Sequence, residues 1–184
     1  IERVLKEIYK ISDYKNRIRN IKEFNLNQKN NNLPFRKGIA LMPAKFGISF
    51  NKPSLNQGGA LVHVYSDGSI RLNHGGTEMG QGLFIKVAQV VAECFKVSFD
   101  QIHITSTNTA EVPNTSATAA SSGSDLNGMA AWNASKVIKN RMIDHAAKLF
   151  KKNKRDIIFN DGRIICGNKN LSFSELASPQ YNKK

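Results

Sequence analysis

The stretch Gly75-Gly76-Thr77-Glu78-Met79-Gly80-Gln81-Gly82 decides the predicted fold, because a strand-like run leads into it and a helical pattern leaves it. Its four glycines allow positive φ angles and let the backbone pass close to a ligand. The first N–H groups of the following helix favour an anion, and the amide of Gln81 can donate and accept hydrogen bonds. The pattern is neither the dinucleotide fingerprint nor the P-loop. On this pattern alone, a tight turn without a ligand remains the alternative.

Hairpin and helix signals surround this turn. Before it, two alternating runs at 60–65 and 69–73 flank Ser66-Asp67-Gly68, which is a strong hairpin signal. After it, apolar residues recur at helical spacing and predict one buried helix face: Leu83, Val87, Val90, Val91 and Cys94. Residues 101–106 are typical of a further strand.

A second stretch, rich in small polar residues, occupies positions 107–125 and has no apolar period, which predicts a long loop. Loops longer than about 12–15 residues inside a compact domain are often functional. Asn114-Thr115-Ser116-Ala117-Thr118-Ala119-Ala120-Ser121-Ser122-Gly123-Ser124 permits close approach and supplies hydroxyl and N–H groups, which suit a phosphate-bearing cofactor. A flexible polar loop is the alternative. A helix near 124–152 follows, with Ser124 or Asp125 as its N-cap.

The rest of the chain completes an α+β prediction, with mixed and antiparallel strands and hairpins packed against two long helices. The further elements are a helix at 2–24, a polar linker at 25–32, a bent or bulged strand at 38–50, a hairpin of 156–159 and 163–166, and a short helix at 173–177. We expect residues 1–33 to be a helix and linker from a neighbouring region, and 34–184 to be part of one domain. The start Ile1-Glu2-Arg3, without Met, favours a segment of a longer polypeptide.

Two motifs at a characteristic separation resemble one known family. Residues 75–82 are followed about thirty residues later by Val-Pro-Asn-Thr-Ser-Ala-Thr-Ala-Ala-Ser at 112–121, and preceded by Asn-Gln-Gly-Gly-Ala-Leu-Val-His-Val-Tyr-Ser-Asp-Gly-Ser at 56–69. Over about residues 34–170 the chain resembles the xanthine dehydrogenase/aldehyde oxidase family, and xanthine dehydrogenases most. The resemblance implies the molybdenum-cofactor-binding domain of enzymes that hydroxylate purines or aldehydes with oxygen from water. It also implies a metal held by molybdopterin and by no protein side chain.

The resemblance implies roles for residues of both motifs. Gln81 is expected to donate a hydrogen bond near the metal's oxo group, as this chain's catalytic contribution. Cofactor-binding residues are implied at Met79, Gly80, Gln81, Thr118, Ala120, Ser121, Ser122 and Ser124. A substrate wall is implied at Phe50, Asn51, Ala119 and Ala120. Phe50 would contact a flat purine ring, with core packing as the alternative, and Asn51 stands where xanthine-type members often have Thr.

Several parts of the parent enzyme are expected outside this chain. The family's general base is a glutamate in a later Gly-Glu-Pro-Pro-type segment that this sequence lacks, so Glu78 is expected to organise the glycine turn instead. Iron–sulfur clusters and FAD are expected in another domain or subunit of an oligomer. We expect an inactive fragment that binds molybdopterin and forms part of the substrate pocket for hypoxanthine or xanthine. An aldehyde-type substrate and a non-catalytic binding module are the alternatives.

Composition argues against other classes. The flanks 1–57 and 136–184 each carry 12 basic and 4 acidic side chains, whereas 58–135 carries 3 basic and 6 acidic ones. The positive charge behind the net +13 therefore lies on the flanks and not in the centre that contains the motifs. No nucleic-acid partner is therefore expected. The absence of a long apolar run predicts no membrane span. Cys94 and Cys166 are expected to be buried free thiols in a reducing cytoplasm, and the 4 histidines to be packed or surface residues and not metal ligands.

Overall fold

The computed structural model of the chain describes residues 1–111 and 115–179. The chain folds into two compact units, Ile1–Phe46 and Gly47–Lys184. The predicted boundary after residue 33 falls inside the first unit, and the assignment of residues 1–33 to a neighbouring region stays a prediction. Residues 112–114, which open the second motif, lie outside the described residues.

The first unit contains two helices, α1 (Glu2–Ile11) and α2 (Tyr14–Asn30). The single helix predicted at 2–24 is wrong, because Asp13 adopts a left-handed conformation at φ 48° and accepts a hydrogen bond from the Asn16 amide. The linker predicted at 25–32 is also wrong over most of its length, since α2 continues to Asn30. Asparagine is a weak helix former but does not break a helix as proline does.

The strand predicted at 38–50 does not form in the described structure, where this segment has neither helix nor strand. Pro43 lies at its centre and has no N–H to give to a ladder. The prediction of a strand is therefore wrong, because an apolar run forms a strand only where a second strand is available to pair with it.

Sheet A of the second unit consists of β1 (Ala60–Val64), β2 (Ile70–His74) and β3 (Ile102–Ile104). β1 and β2 form the predicted antiparallel hairpin with Val62 opposite Leu72, and β3 runs parallel to β2. Alternate side chains face the core, so Leu72 is fully buried. A parallel pair needs a crossover connection, and the chain after β2 supplies it through a helix.

Two long helices, α3 (Leu83–Phe95) and α4 (Gly123–Phe150), pack against each other and against sheet A. The apolar face predicted for α3 is buried, apart from a half-buried Val90. Helix α4 confirms the second predicted helix, but its N-cap is Ser122, ahead of both predicted positions. These helices and the small sheets confirm the predicted α+β class.

A second three-stranded antiparallel sheet, sheet B, follows α4 and consists of β4 (Ile158–Asn160), β5 (Arg163–Cys166) and β6 (Lys169–Ser172). The first two strands are the predicted hairpin. The third strand was not predicted, because Leu171 is its one apolar residue. The short helix α5 (Phe173–Ala177) is confirmed, and a capping box at its N-terminus starts it. Three 3-10 turns complete the elements of residues 1–111 and 115–179: Pro53–Leu55, Phe99–Gln101 and Lys154–Asp156.

Two further predictions concern the chain as a whole. Among the described residues, every helix is too short or too polar to cross a bilayer. Cys94 and Cys166 are buried free thiols, as predicted.

Candidate functional site

The glycine-rich turn between β2 and α3 is organised around the carboxylate of Glu78. This carboxylate accepts hydrogen bonds from the backbone N–H groups of Gly80 at 2.9 Å, Gly82 at 3.0 Å and Phe84 at 3.0 Å. These bonds, led by the one from Phe84, hold the pKa of Glu78 below its usual value. The predicted organising role of Glu78 is confirmed. Within the first turn of α3, Glu78 accepts from the Phe84 N–H, so that group is not free for an external anion.

Gln81 is held by the same turn. Its Oε1 accepts from the Met79 N–H at 2.5 Å, and its Nε2 donates to the Thr77 carbonyl at 2.8 Å. A primary amide has two N–H donors, so one remains for a group outside the turn. The side chain is exposed but fixed in direction, which is the condition for a preorganised donor.

The serine-rich loop packs directly on the glycine turn. The Thr77 N–H donates to the Thr118 hydroxyl at 2.8 Å, and the Thr107 hydroxyl donates to the Gly76 carbonyl at 2.7 Å. A Cβ added at Gly75 would clash with the Oγ1 of Thr115, so this close approach requires glycine. The two sequence motifs therefore form one local structure, and the loop is not a free polar segment over its described residues.

A cavity of about 360 Å³ opens where the two motifs meet. It is lined by Met79, Gln81, Leu83, Lys86, Thr118, Ala119, Ser121, Gly123 and Ser124. Six of the eleven residues singled out from the sequence therefore line one space. The other five are not in its wall: Phe50, Asn51, Gly80, Ala120 and Ser122.

Lys86 is the cavity residue that sequence reasoning missed. It lies in the first turn of α3, and its ammonium donates to the Gln81 carbonyl at 2.9 Å. It is the one basic side chain of α3, which was the available signal. An ammonium has three donors, so Lys86 brings positive charge and further N–H groups to the cavity.

The loop turns sharply at the cavity. Ala120 and Ser121 both take left-handed conformations, at φ 52° and 55°. The buried Ser122 donates its hydroxyl hydrogen to the Ala119 carbonyl at 3.0 Å, so its side chain supports the turn. By contrast, the hydroxyls of Ser121 and Ser124 have no hydrogen-bond partner within residues 1–111 and 115–179. They are available to a ligand.

The predicted substrate-wall residues lie on two neighbouring segments. The Ser49 N–H donates to the Ala120 carbonyl at 2.8 Å, which brings the segment before Phe50 against the loop. Phe50 is half-buried, and its backbone is bonded on both sides to the Asn56 amide at 2.8 Å. Asn51 is exposed. Asn56 opens the run 56–69 that resembles the family, and nothing in the sequence of that run indicates the contacts of its side chain.

His74 supports the glycine turn from inside. It is buried, its Nδ1 accepts from the Gly76 N–H at 3.1 Å, and its ring meets the edge of Phe84 with centroids 5.0 Å apart. Burial lowers the pKa of His74, which keeps the ring neutral and its Nδ1 an acceptor. The prediction of a packed histidine is confirmed here. Among the described residues, no cluster of three or more histidine, cysteine or carboxylate side chains could bind a metal.

Comparison with known proteins identifies relatives of this arrangement. The family model described as "Molybdopterin cofactor-binding domain" matches residues 7–184. The chain is 50% identical over 131 residues to a xanthine dehydrogenase/oxidase of Rattus norvegicus, which covers 71% of this chain and 10% of that protein. It is 47% identical over 147 residues to a nicotinate hydroxylase of Emericella nidulans, which covers 79% of this chain and 10% of that protein. The chain thus spans about a tenth of the length of the curated relatives it matches.

Two solved structures share the fold. Carbon monoxide dehydrogenase from Oligotropha carboxidovorans superposes with a TM-score of 0.63 at 25% identity, covering 69% of this chain and 16% of that chain. Quinoline 2-oxidoreductase from Pseudomonas putida 86 superposes with a TM-score of 0.60 at 22% identity, covering 66% and 16%.

Proposed function

Because this chain belongs to the molybdopterin cofactor-binding domain family, we propose that the cavity between its two motifs holds the pterin part of a molybdenum cofactor. The observation that carries the proposal is the convergence of unpaired donors on one cavity of about 360 Å³. Predicted residues from both motifs line this space, although they are about forty positions apart in the sequence.

The donor set fits a polyoxygenated, phosphate-bearing group. Ser121 and Ser124 offer hydroxyls without partners among the described residues, and Gln81 retains one N–H. Lys86 adds a cation that favours a phosphate by charge. None of the residues that line the cavity is an aspartate or a glutamate, so the lining contains no negative charge that would repel an anion.

We assign the pterin contacts to Met79, Gln81, Thr118, Ser121 and Ser124. Lys86 joins them as the phosphate-facing cation. Gly80 and Ala120 would act through their backbones, and Ser122 through the turn that it stabilises. When bound, the cofactor supplies a metal centre at which a substrate carbon–hydrogen bond is oxidised. The chain's part is to bind this group and to aim the remaining Gln81 N–H, which can stabilise charge on an oxygen without moving.

The proposed substrate is a flat heterocycle such as hypoxanthine or xanthine, hydroxylated by the whole enzyme. Support comes from the half-buried Phe50, whose segment bonds to Ala120 beside the cavity. An aromatic face stacks on a planar ring. The similarity to a nicotinate hydroxylase favours a heterocycle in general, and an aldehyde substrate remains the second candidate from the sequence resemblance. Iron–sulfur and FAD domains or subunits, and an oligomeric cytoplasmic enzyme, complete the proposal.

The test is to purify the native complex from cells that make the cofactor, and to measure molybdenum by mass spectrometry and pterin by fluorescence. We expect both in the wild type, and a clear loss of both in Lys86→Met. Lys148→Met is the matched control, because Lys148 is exposed on α4 away from the cavity wall. Wild-type complex without molybdenum or pterin would refute the proposal.

Turnover separates the substrate classes. Xanthine oxidation with an artificial electron acceptor supports the heterocycle, whereas oxidation of aldehydes alone would keep the cofactor site and refute the role given to Phe50. The separate 184-residue chain is expected to show no turnover, because the implied general base lies outside it.

A further inference from the structure

The segment from Ser49 to Asn56 contains a side chain that closes it into a rigid loop. The Asn56 amide is half-buried and bonds to both backbone groups of one residue: the Phe50 N–H donates to its Oδ1, and its Nδ2 donates to the Phe50 carbonyl, each at 2.8 Å. This reciprocal pair reproduces the hydrogen bonds that a neighbouring strand would make. It fixes the backbone of Phe50 although no strand is adjacent to it in the described structure.

Asn56 is itself held firmly. Its N–H donates to the Pro53 carbonyl at 2.9 Å, which closes the 3-10 turn Pro53–Leu55. A side chain on a fixed backbone loses little entropy when it makes two bonds, and the two bonds offset the cost of partly burying the amide. The Asn56 amide is therefore a rigid support for Phe50 and not a mobile surface group.

The other end of the segment is tied to the proposed cofactor loop. Ser49 has φ 71° and donates its N–H to the Ala120 carbonyl at 2.8 Å. Ala120 lies between Ala119 and Ser121, which both line the cavity. Phe50 is thus held between two fixed points, the Asn56 amide on one side and the loop beside the cavity on the other.

We propose that Asn56 is a positioning residue for ring-shaped substrates, whose amide sets the backbone of Phe50 so that its ring meets a flat heterocycle. This inference rests on the function proposed above. Only an amide provides one donor and one acceptor in this geometry. A carboxylate would still accept from the Phe50 N–H, but its second oxygen would face the Phe50 carbonyl without a hydrogen between them.

The test uses the holoenzyme with Asn56→Asp and Asn56→Ala, and Gln57→Glu as the matched control. Gln57 is adjacent and exposed, so the control makes the same amide-to-carboxylate change outside the support. For each variant we would measure molybdenum content, KM and kcat for xanthine and for acetaldehyde, and the calorimetric Kd for urate, a purine that needs no turnover to report binding.

For Asn56→Asp we expect KM for xanthine and Kd for urate to rise about tenfold, the effect of losing about one hydrogen bond. Molybdenum content, kcat, and KM for the small aldehyde should stay within twofold of wild type, and Gln57→Glu should change nothing. Unchanged xanthine KM and urate Kd would overturn the inference, as would equal effects on both substrates or molybdenum loss in the Asn56 variants alone. A wild-type enzyme without molybdenum would instead refute the proposed cofactor site.

Discussion

Replacing Gly58 by alanine tests whether the cavity depends on the close packing of the segment 56–59 against α4. A Cβ at Gly58 would lie 2.7 Å from the backbone carbon and oxygen of Leu126. Leu126 lies in the first turn of α4, where its N–H donates to the Ser122 carbonyl at 3.0 Å. Both clashing atoms belong to the backbone, so no side-chain rotation can relieve the contact.

The size of the effect follows from the distance. Ordinary van der Waals contact begins near 3.4 Å, so the segment and the start of α4 must separate by about 0.7 Å. Overpacking of this kind costs about 1–3 kcal/mol, and the lower entropy of the unfolded alanine chain offsets about 0.4–1 kcal/mol. We therefore expect a net loss of about 1–2 kcal/mol, which lowers Tm by about 2–8 °C in a chain of this size.

Thermal unfolding of the purified chain, followed by circular dichroism, measures this loss. Gly47→Ala is the control, because an added Cβ there meets no atom within 4 Å. In the holoenzyme, Gly58→Ala should also lower molybdenum content, since the start of α4 carries Ser124 at the cavity. If Gly58→Ala were as stable as Gly47→Ala, the close packing of this segment on α4 would be refuted.

Three further changes test other parts of the site. Gly128→Ala should raise stability by about 0.5–1 kcal/mol in denaturant unfolding, because its Cβ would meet Val90 at an ordinary 3.7 Å; a loss would contradict this. Glu78→Gln should lower Tm at pH 7. Folding lowers the pKa of Glu78 from 4.5, so the stability that its carboxylate contributes is present above that value and is lost as the pH falls below it. The Tm values of wild type and variant should therefore converge in acid, and a Tm difference that stays constant with pH would contradict this. The double change Ser121→Ala with Ser124→Ala should reduce pterin content but leave Tm unchanged, because neither hydroxyl has a partner in the described structure; full retention would contradict the assignment.

The sequence predicted elements whose signals are local. Asp67-Gly68 between alternating runs predicted the hairpin of β1 and β2, and the glycine turn before a helical pattern predicted α3. In each case a turn residue and a periodic pattern agree, so neighbouring side chains suffice for the prediction. The β6 strand was missed because Leu171 alone gives no alternation, and its pairing with β5 supplies the order that the pattern lacks.

The site features that sequence reasoning missed are hydrogen bonds from side chains to backbone groups five or six residues away, which follow no helix, strand or turn pattern. Asn56 and Lys86 are ordinary polar residues in the sequence, and their partners become evident only when the backbone of Phe50 and the carbonyl of Gln81 are located. Glu78 likewise lies ahead of the helix that it caps, outside the usual capping-box spacing. The motifs therefore predicted where the cavity forms, but the folded chain was needed to assign a task to each side chain.

The charge distribution of the chain agrees with a cofactor site whose polar side chains are mostly neutral. The central region 58–135 has 6 acidic and 3 basic side chains, although the proposed ligand is an anion. Glu78 already occupies the N-terminus of α3. Within the described part of the cavity wall, the positive charge comes from Lys86, and the other polar side chains are hydroxyls and an amide. Fixed neutral donors can stabilise a charged group without having to reorganise. The basic flanks therefore need have no part in binding the cofactor.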